Sequence, residues 1–212
     1  MAKQMAAAQK AVELDPSDGQ THLVLGMAEA FHAKPEQALA EFEKAQSLAP
    51  NNADILLLIS WSIPMLGQAQ KAVELADRAV LLNHGYPDWY NQALRCAYFF
   101  GKQFEQSVKY AKLVKEPFAL DYAYQAMSLA YLGKPEEAAK AADEVRRLDP
   151  QWIAEQYLSD TGGASDAEAE LFVEGARKAG LAACVKTEAL SKMPALIHVK
   201  SCDNERLKSA AG

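Results

Sequence analysis

The chain has 212 residues, of which 22 are Lys or Arg and 28 are Asp or Glu, so its formal net charge is −6. Half of its residues are apolar, which is typical of a globular protein. The acidic balance argues against a nucleic-acid ligand, because a phosphate backbone requires a basic surface. The longest apolar run, residues 55–66, is shorter than the ~20 residues that cross a bilayer. Since no secretory signal is visible either, we expect no membrane insertion and a cytoplasmic location.

A sequence signal recurs about every 34 residues. Leu-x-Pro tripeptides end at Pro16, Pro50 and Pro150, and the first two prolines are 34 residues apart. Pro117 follows Pro50 by 67 residues, close to twice that period, and precedes Pro150 by 33. A fixed period of this length indicates a helical repeat protein.

A second signal lies between these prolines and divides each unit into two helices. Ala33-Lys34-Pro35 matches Gly133-Lys134-Pro135, and Gly67 and Gly101 fall at equivalent places, the last with one extra residue. Pro suits the first position of a helix, where its missing N–H is not needed. Each unit is therefore predicted as helix A, a tight turn, helix B and a Pro-marked turn. Small residues recur in phase, so that paired helices can approach closely: Gly26, Ser60 and Ala126 on helix A, and Ala38, Ala72 and Ala138 on helix B.

This phased pattern resembles the tetratricopeptide repeat (TPR) over about residues 1–150. The resemblance implies an all-α, right-handed superhelical solenoid. We predict an orphan helix B of a truncated repeat in 1–16, four repeats in 17–150, a capping helix pair in 151–180 and a basic C-terminal tail in 181–212. The third repeat is degenerate, with a register slip near Gly101. In the second repeat, Pro64 lies inside the predicted helix A and should kink that helix or end it early.

The predicted helix ends rest on local motifs. Ser17-x-x-Gln20 and Ser165-x-x-Glu168 resemble capping boxes, and Gly180 is expected to stop the helix that the second one starts. Residues 177–212 carry seven basic and three acidic side chains, so a basic tail follows an acidic body. The apolar residues within 190–199 could fold back into the groove of the solenoid and block it.

No catalytic, cofactor or metal motif is present in the sequence. Gly101-Lys102 and Gly133-Lys134 lack the other residues of a phosphate-binding loop, and the four histidines show no metal-ligand spacing. Of three cysteines, Cys184 and Cys202 are 18 residues apart in the tail. They are expected either as reduced thiols or as a bridge that pins the tail, which needs an oxidising compartment. We expect no enzyme activity, cofactor or metal.

The resemblance implies that helix A lines a concave groove, and its register gives the candidate site. The predicted groove residues are mostly large and adaptable side chains, which are enriched at interfaces: Leu23, Met27, Phe31, Leu57, Trp61, Met65, Arg95, Tyr98, Phe99, Met127 and Tyr131. Only Arg95 is placed to hold a ligand carboxylate. The alternative interpretation is that this stripe is packed core.

The leading hypothesis is a non-enzymatic module that binds a partner protein or peptide in its groove. Residues 171–181 also resemble the end of the TPR region that follows class III adenylate/guanylate cyclase domains in alphaproteobacterial signalling proteins. That second resemblance implies a regulatory segment of such a bacterial protein. A self-associating scaffold is the third hypothesis, and the chain's own tail is a further possible occupant of the groove.

Overall fold

The structure is a computed structural model that describes residues 2–191, 193 and 196–210. The other residues, at 1, 192, 194, 195, 211 and 212, belong to the predicted orphan helix and tail and lie outside the described part. Within the described residues there are thirteen α-helices, one 3-10 helix and no strand. The first eight segments are α1 (Ala2–Leu14), α2 (Gly19–Phe31), α3 (Pro35–Leu48), α4 (Ala53–Ser62), the 3-10 helix (Ile63–Leu66), α5 (Ala69–Leu82), α6 (Trp89–Phe100) and α7 (Phe104–Leu113). The remaining helices are α8 (Ala119–Tyr131), α9 (Pro135–Leu148), α10 (Ala154–Asp160), α11 (Asp166–Lys178), α12 (Thr187–Leu190) and α13 (Lys200–Ala210).

The helices pack as consecutive hairpins. Helix α2 packs on α3, α4 on α5, α6 on α7 and α8 on α9, while α1 packs on α2. Neighbouring hairpins also contact each other through α2 and α4, α4 and α6, and α6 and α8. The all-helical solenoid predicted from the 34-residue period is therefore confirmed.

Close helix approach depends on the small residues of the repeat. Gly26 on α2 shows this best, because a Cβ atom there would lie 2.8 Å from the ring of Phe42 and 3.1 Å from the carbonyl oxygen of Ala38 on α3. The equivalent residues Ser60 and Ala126 are fully buried as well. Small side chains at this position allow the two helices of a hairpin to pack at short distance, as the sequence predicted.

Helix ends follow local chemistry, with one correction. Pro35 and Pro135 begin their helices as expected. Helix α2, however, is capped by Asp18, whose carboxylate accepts the backbone N–H of Gln20 at 2.8 Å. The predicted capping box on Ser17 is wrong, because the Ser17 hydroxyl donates to Asp15 instead.

Two irregular positions explain departures from the repeat. Helix α4 ends at Ser62, and the 3-10 helix that contains Pro64 follows, so Pro64 does end its helix early. In the third repeat the left-handed residue of the turn is Lys102, with φ +58°, and not Gly101. Gly101 is needed for close approach, since a Cβ atom there would collide with the side chain of Val73. This one-residue offset is the register slip seen in the sequence.

The C-terminal part does not continue the hairpin stack. Helix α11 turns back and packs across α8 and against the 3-10 helix. It begins after Ser165, as predicted, although the Ser165 side chain bonds the Glu168 carboxylate and caps no backbone N–H. Gly180, with φ +70°, ends α11 as expected. Helix α13 then packs on α11.

Candidate functional site

The face formed by the helix-A segments α2, α4, α6 and α8 has two different halves. One half, at α6 and α8, is covered by α11. The other half, at α2, α4 and the 3-10 helix, is open. We call these the filled half and the open half.

In the filled half, α11 inserts Phe172 among aromatic side chains. The Phe172 ring lies 5.9 Å from the ring of Phe99, 5.6 Å from that of Tyr124 and 5.4 Å from that of Tyr157, measured between centroids. Phe172 and Phe99 are both fully buried. Such aromatic pairs stabilise packing beyond the area they bury. This cluster holds α11 on the face.

Helix α11 also fits closely against α8. A Cβ atom on Gly175 would lie 3.0 Å from the Tyr131 ring and 3.2 Å from the Met127 Cβ atom, so only glycine allows this approach without displacement. The Tyr131 hydroxyl donates a hydrogen bond of 2.7 Å to the carbonyl oxygen of Leu171. Burial raises the pKa of Tyr131 to about 12, so its hydroxyl stays protonated as a donor at neutral pH.

The open half forms an apolar groove of about 280 Å³. Its large side chains are Met27, Phe31, Trp61, Met65, Leu66 and Tyr157, and the smaller lining residues carry no charge. Met27 is 39% exposed and Phe31 is 44% exposed. An apolar surface of this kind is typical of an interaction site.

A side cavity of about 490 Å³ adjoins the groove and shares Ala30, Met65, Leu66 and Gly163 with it. Its far wall is the loop between α10 and α11 together with Ile197. This loop is fixed to the open half, because the Ser165 N–H donates to the Met65 carbonyl oxygen at 2.8 Å. The groove therefore lies between α2 and the C-terminal part of the chain.

The structure separates the predicted groove residues into groups. Met27, Phe31, Trp61 and Met65 line the open groove together. Leu23 and Leu57 are fully buried in the core, because helix A also packs against neighbouring helices, and they present no surface to a partner.

Phe99, Met127 and Tyr131 lie under α11 in the filled half. Phe99 and Met127 are fully buried, and Tyr131 is half-buried. The part of the face that they line is occupied by a segment of the same chain. They offer a partner no free surface while α11 stays in place.

Arg95 does not serve as a carboxylate clamp for a ligand. Its guanidinium is buried, donates from Nε to Asp121 at 2.5 Å and stacks over the Tyr124 ring at 4.5 Å. Because Arg95 is only 2% exposed, its guanidinium presents no surface to a ligand in the groove. The expectation for Arg95 is therefore corrected.

Tyr98 points away from the groove. Its hydroxyl donates to Asp77 on α5 at 2.5 Å, and its ring stacks on Tyr110 of α7. Phe99, the next residue of α6, lies inward in the aromatic cluster around Phe172.

Val24 and Tyr157 were not among the residues predicted from the sequence. Val24 is 44% exposed and precedes Met27 and Phe31 by three and seven residues, a spacing that places all three on one face of α2. That spacing could have identified Val24. Tyr157 comes from α10, which was interpreted only as part of a cap.

A buried carboxylate lies behind the open half. Glu29 is buried on α2, and within the described part of the chain its Oε2 atom has no hydrogen-bond partner. Burial, with a further contribution from the charge of Glu41, raises the pKa of Glu29. Lys34 acts in the opposite direction with a smaller effect.

Cys184 and Cys202 form a disulfide, which was one of the two alternatives left open by the sequence. The Glu155 carboxylate lies near both sulfurs, and the three ligand atoms are within 4.8 Å of one another. The sulfurs are bonded to each other, and both Glu155 oxygens accept hydrogen bonds from Arg206. These atoms already have partners within the protein and are not available to bind a metal ion. A disulfide is typical of an oxidising compartment, and the expected cytoplasmic location stays a prediction.

Among the described residues, no helix has the length and apolar character needed to cross a membrane.

The chain has the TPR fold, as comparison with solved structures shows. PilW, a type IV pilus biogenesis factor, has a TM-score of 0.61 at 19% identity, covering 82% of this chain and 76% of its own. YrrB, described as a TPR protein with an unusual peptide-binding site, has a TM-score of 0.54 at 21% identity over 69% of this chain and 77% of its own. MamA has a TM-score of 0.53 at 20% identity, with 69% and 87% covered.

No protein-family model matches the chain, and a search of curated proteins finds no significant match. No enzyme family is indicated by the structural similarities. They do not support the resemblance to cyclase-linked repeat regions, which stays a prediction.

Proposed function

We propose that this protein is a non-enzymatic binding module that holds an apolar segment of a partner protein or peptide in the groove of its open half. The observation that carries the proposal is the exposed apolar stripe of Val24, Met27 and Phe31 beside the groove. Solvent exposure of adjacent large apolar side chains is unfavourable unless a partner covers them.

The filled half supports the proposal, because the same face already binds an amphipathic helix of this chain. Helix α11 buries Phe172, Val173 and Ala176, whereas its charged residues are half-buried or exposed. The open half continues this surface, since Tyr157 contacts Phe172 and also lines the groove. A partner helix in the open half would extend the same kind of packing.

The chemistry of the groove defines the guest. Since the lining residues carry no charge, the guest must contact them with apolar side chains. An amphipathic helix with large apolar residues at i, i+3 or i+4, and i+7 matches this surface. Met27 and Met65 can adapt to side chains of different shape.

The proposal is tested by selecting peptides from a displayed library of helical sequences and measuring their affinity for variants. We expect Met27→Asp combined with Phe31→Asp to weaken the selected peptides by about a hundredfold, because few buried anchors dominate such interfaces. Leu81→Asp is the matched control, since Leu81 is 70% exposed on α5 and lies outside the groove. Circular dichroism should show the same helicity for all variants.

Equal affinity for wild type and the groove variant would refute the proposal, and so would loss of binding only in the Leu81 variant. Self-association and the regulatory role in a cyclase-type protein remain the alternative hypotheses. A strict monomer across a concentration series would exclude the first.

A further inference from the structure

The C-terminal strap, defined as residues 196–210, crosses α10 and α11 at the edge of the groove. The Ile197 N–H donates to the Ser159 hydroxyl of α10 at 2.8 Å, and the Ser201 N–H donates to Glu170 of α11 at 2.9 Å. Ile197 also forms one wall of the side cavity. The position of the strap therefore determines how wide the side cavity is on this side.

A separate segment, residues 181–185, is fixed to α10 without help from the strap. The N–H groups of Ala154 and Glu155 donate to the carbonyl oxygens of Ala182 and Ala183 at 3.0 Å. The Val185 N–H donates to the Glu155 carboxylate at 2.8 Å. Cys184 thus lies on an anchored part of the chain.

The strap buries few large apolar side chains of its own. Helix α13 has eleven residues, a length at which an isolated helix is marginal in water. Its one large apolar side chain, Leu207, is 69% exposed. Leu196, Val199 and Cys202 of the strap contribute buried apolar side chains.

Glu205 of the strap pairs with Arg177 at 3.2 Å, and Arg206 donates to the Val185 carbonyl oxygen at 3.0 Å. Two stronger links also join α13 to the anchored part of the molecule. One is the ion pair of Arg206 with the buried Glu155 carboxylate, at 2.8 and 2.9 Å. The other is the disulfide from Cys202 on α13 to Cys184. Closing a loop of this size covalently favours the docked strap by about a hundredfold.

We propose that the Cys184–Cys202 disulfide is a redox clip, which holds the strap against the edge of the groove and releases it when a dithiol reduces the bond. Release removes the Ile197 wall and opens the side cavity to a larger partner. The consequence for partners rests on the proposed function, whereas the release itself does not.

The reduction proceeds by thiol–disulfide exchange. A thiolate of the dithiol attacks the half-buried Cys184 sulfur, the bond between Cys184 and Cys202 breaks, and its electron pair leaves on Cys202, which takes a proton from water. The second thiol of the reductant, after losing its proton, attacks the mixed disulfide and becomes oxidised to a disulfide. Cys184 leaves as a thiolate beside the Arg177 guanidinium, whose Nη2 atom lies 3.5 Å from its sulfur, and then takes a proton.

The test measures hydrogen exchange in the full-length protein, oxidised and after reduction with dithiothreitol. We expect exchange of the α13 amides to become at least about tenfold faster on reduction, with little change in α2 to α9. The Cys184→Ser/Cys202→Ser double variant should show the fast exchange under both conditions. Cys96→Ser is the matched control, because Cys96 is buried on α6 and should leave the response intact.

Opening of the side cavity is followed with the apolar dye 1-anilinonaphthalene-8-sulfonate, whose fluorescence should rise on reduction of wild type and be constitutively high in the double serine variant. Unchanged α13 exchange after reduction would overturn the proposal. Intact masses that show free thiols at 184 and 202 after treatment with oxidised glutathione would also overturn it. Neither experiment uses a partner, so failure of the groove as a binding site is detected separately, by the selected peptides.

Discussion

The two halves of the helix-A face differ in what covers their apolar side chains. In the filled half, α11 covers Phe99 and Met127 completely. In the open half, Met27 and Phe31 remain partly exposed beside a groove of about 280 Å³. The difference shows that this face accepts an amphipathic helix where the chain supplies one, and that the chain supplies it for only half of the face.

Each half also contains a buried carboxylate, and the two carboxylates differ in their hydrogen-bond partners. Asp121 in the filled half is paired with Arg95 at 2.5 Å. Glu29 in the open half has an Oε2 atom with no hydrogen-bond partner among the described residues. A buried polar group without a partner destabilises the fold, so Glu29 is an unfavourable feature of the open half.

The largest expected effect comes from the anchor of the filled half. Phe172→Ala should lower the free energy of unfolding by about 3–5 kcal/mol, because it removes a fully buried ring from an aromatic cluster. Phe31→Ala in the open half should cost only about 1 kcal/mol, since Phe31 is 44% exposed. Urea denaturation of both variants makes the comparison, and equal losses would contradict it.

A smaller effect is expected where α11 approaches α8. Gly175→Leu should destabilise by about 1–3 kcal/mol, because its side chain would overlap Tyr131 and Met127. Ala167→Leu on the exposed side of the same helix is the matched control and should change stability by no more than about 0.5 kcal/mol. Thermal melts of the two variants test this fit, and a neutral Gly175→Leu would show that α11 is not closely packed.

The smallest effect concerns Glu29. Because its folded-state pKa is raised, ionising it costs stability as the pH rises through that pKa, and the cost is absent below the unfolded-state pKa. Glu29→Gln should therefore stabilise the protein at pH 7 by on the order of 1 kcal/mol, with a difference that disappears below about pH 4. Glu74→Gln, at an exposed position, should show no such difference in parallel melts. A constant gain for Glu29→Gln at all pH values would contradict the assignment.

The sequence predicted the repeat helices well because their signals are local and periodic. Phased small residues such as Gly26 mark where two helices approach closely. Prolines mark helix ends to within a few residues, since Pro35 begins a helix and Pro64 ends one. The third repeat was predicted less accurately, because the left-handed conformation of Lys102 cannot be recognised from the sequence. The disulfide between Cys184 and Cys202 could not be predicted either, because it forms only when α13 packs beside residue 184.

The site was predicted only in part, because helix A packs on several neighbours at once. The sequence pattern cannot distinguish Leu23, which faces the core, from Met27, which faces the groove. Helix α11 has the apolar periodicity of any amphipathic helix, and nothing in that pattern says that it turns back onto α8. Which half of the face is open follows from this long-range contact alone.

Methionine oxidation tests the contrast between the halves most directly, because each half contains a methionine on helix A. Dilute hydrogen peroxide should oxidise Met27, which is partly exposed, at least about tenfold faster than the buried Met127, as followed by mass spectrometry of digested peptides. A bound helical peptide from the selection should slow the oxidation of Met27 and leave the oxidation rate of Met127 unchanged. Equal rates for the two residues in the folded protein would contradict the account.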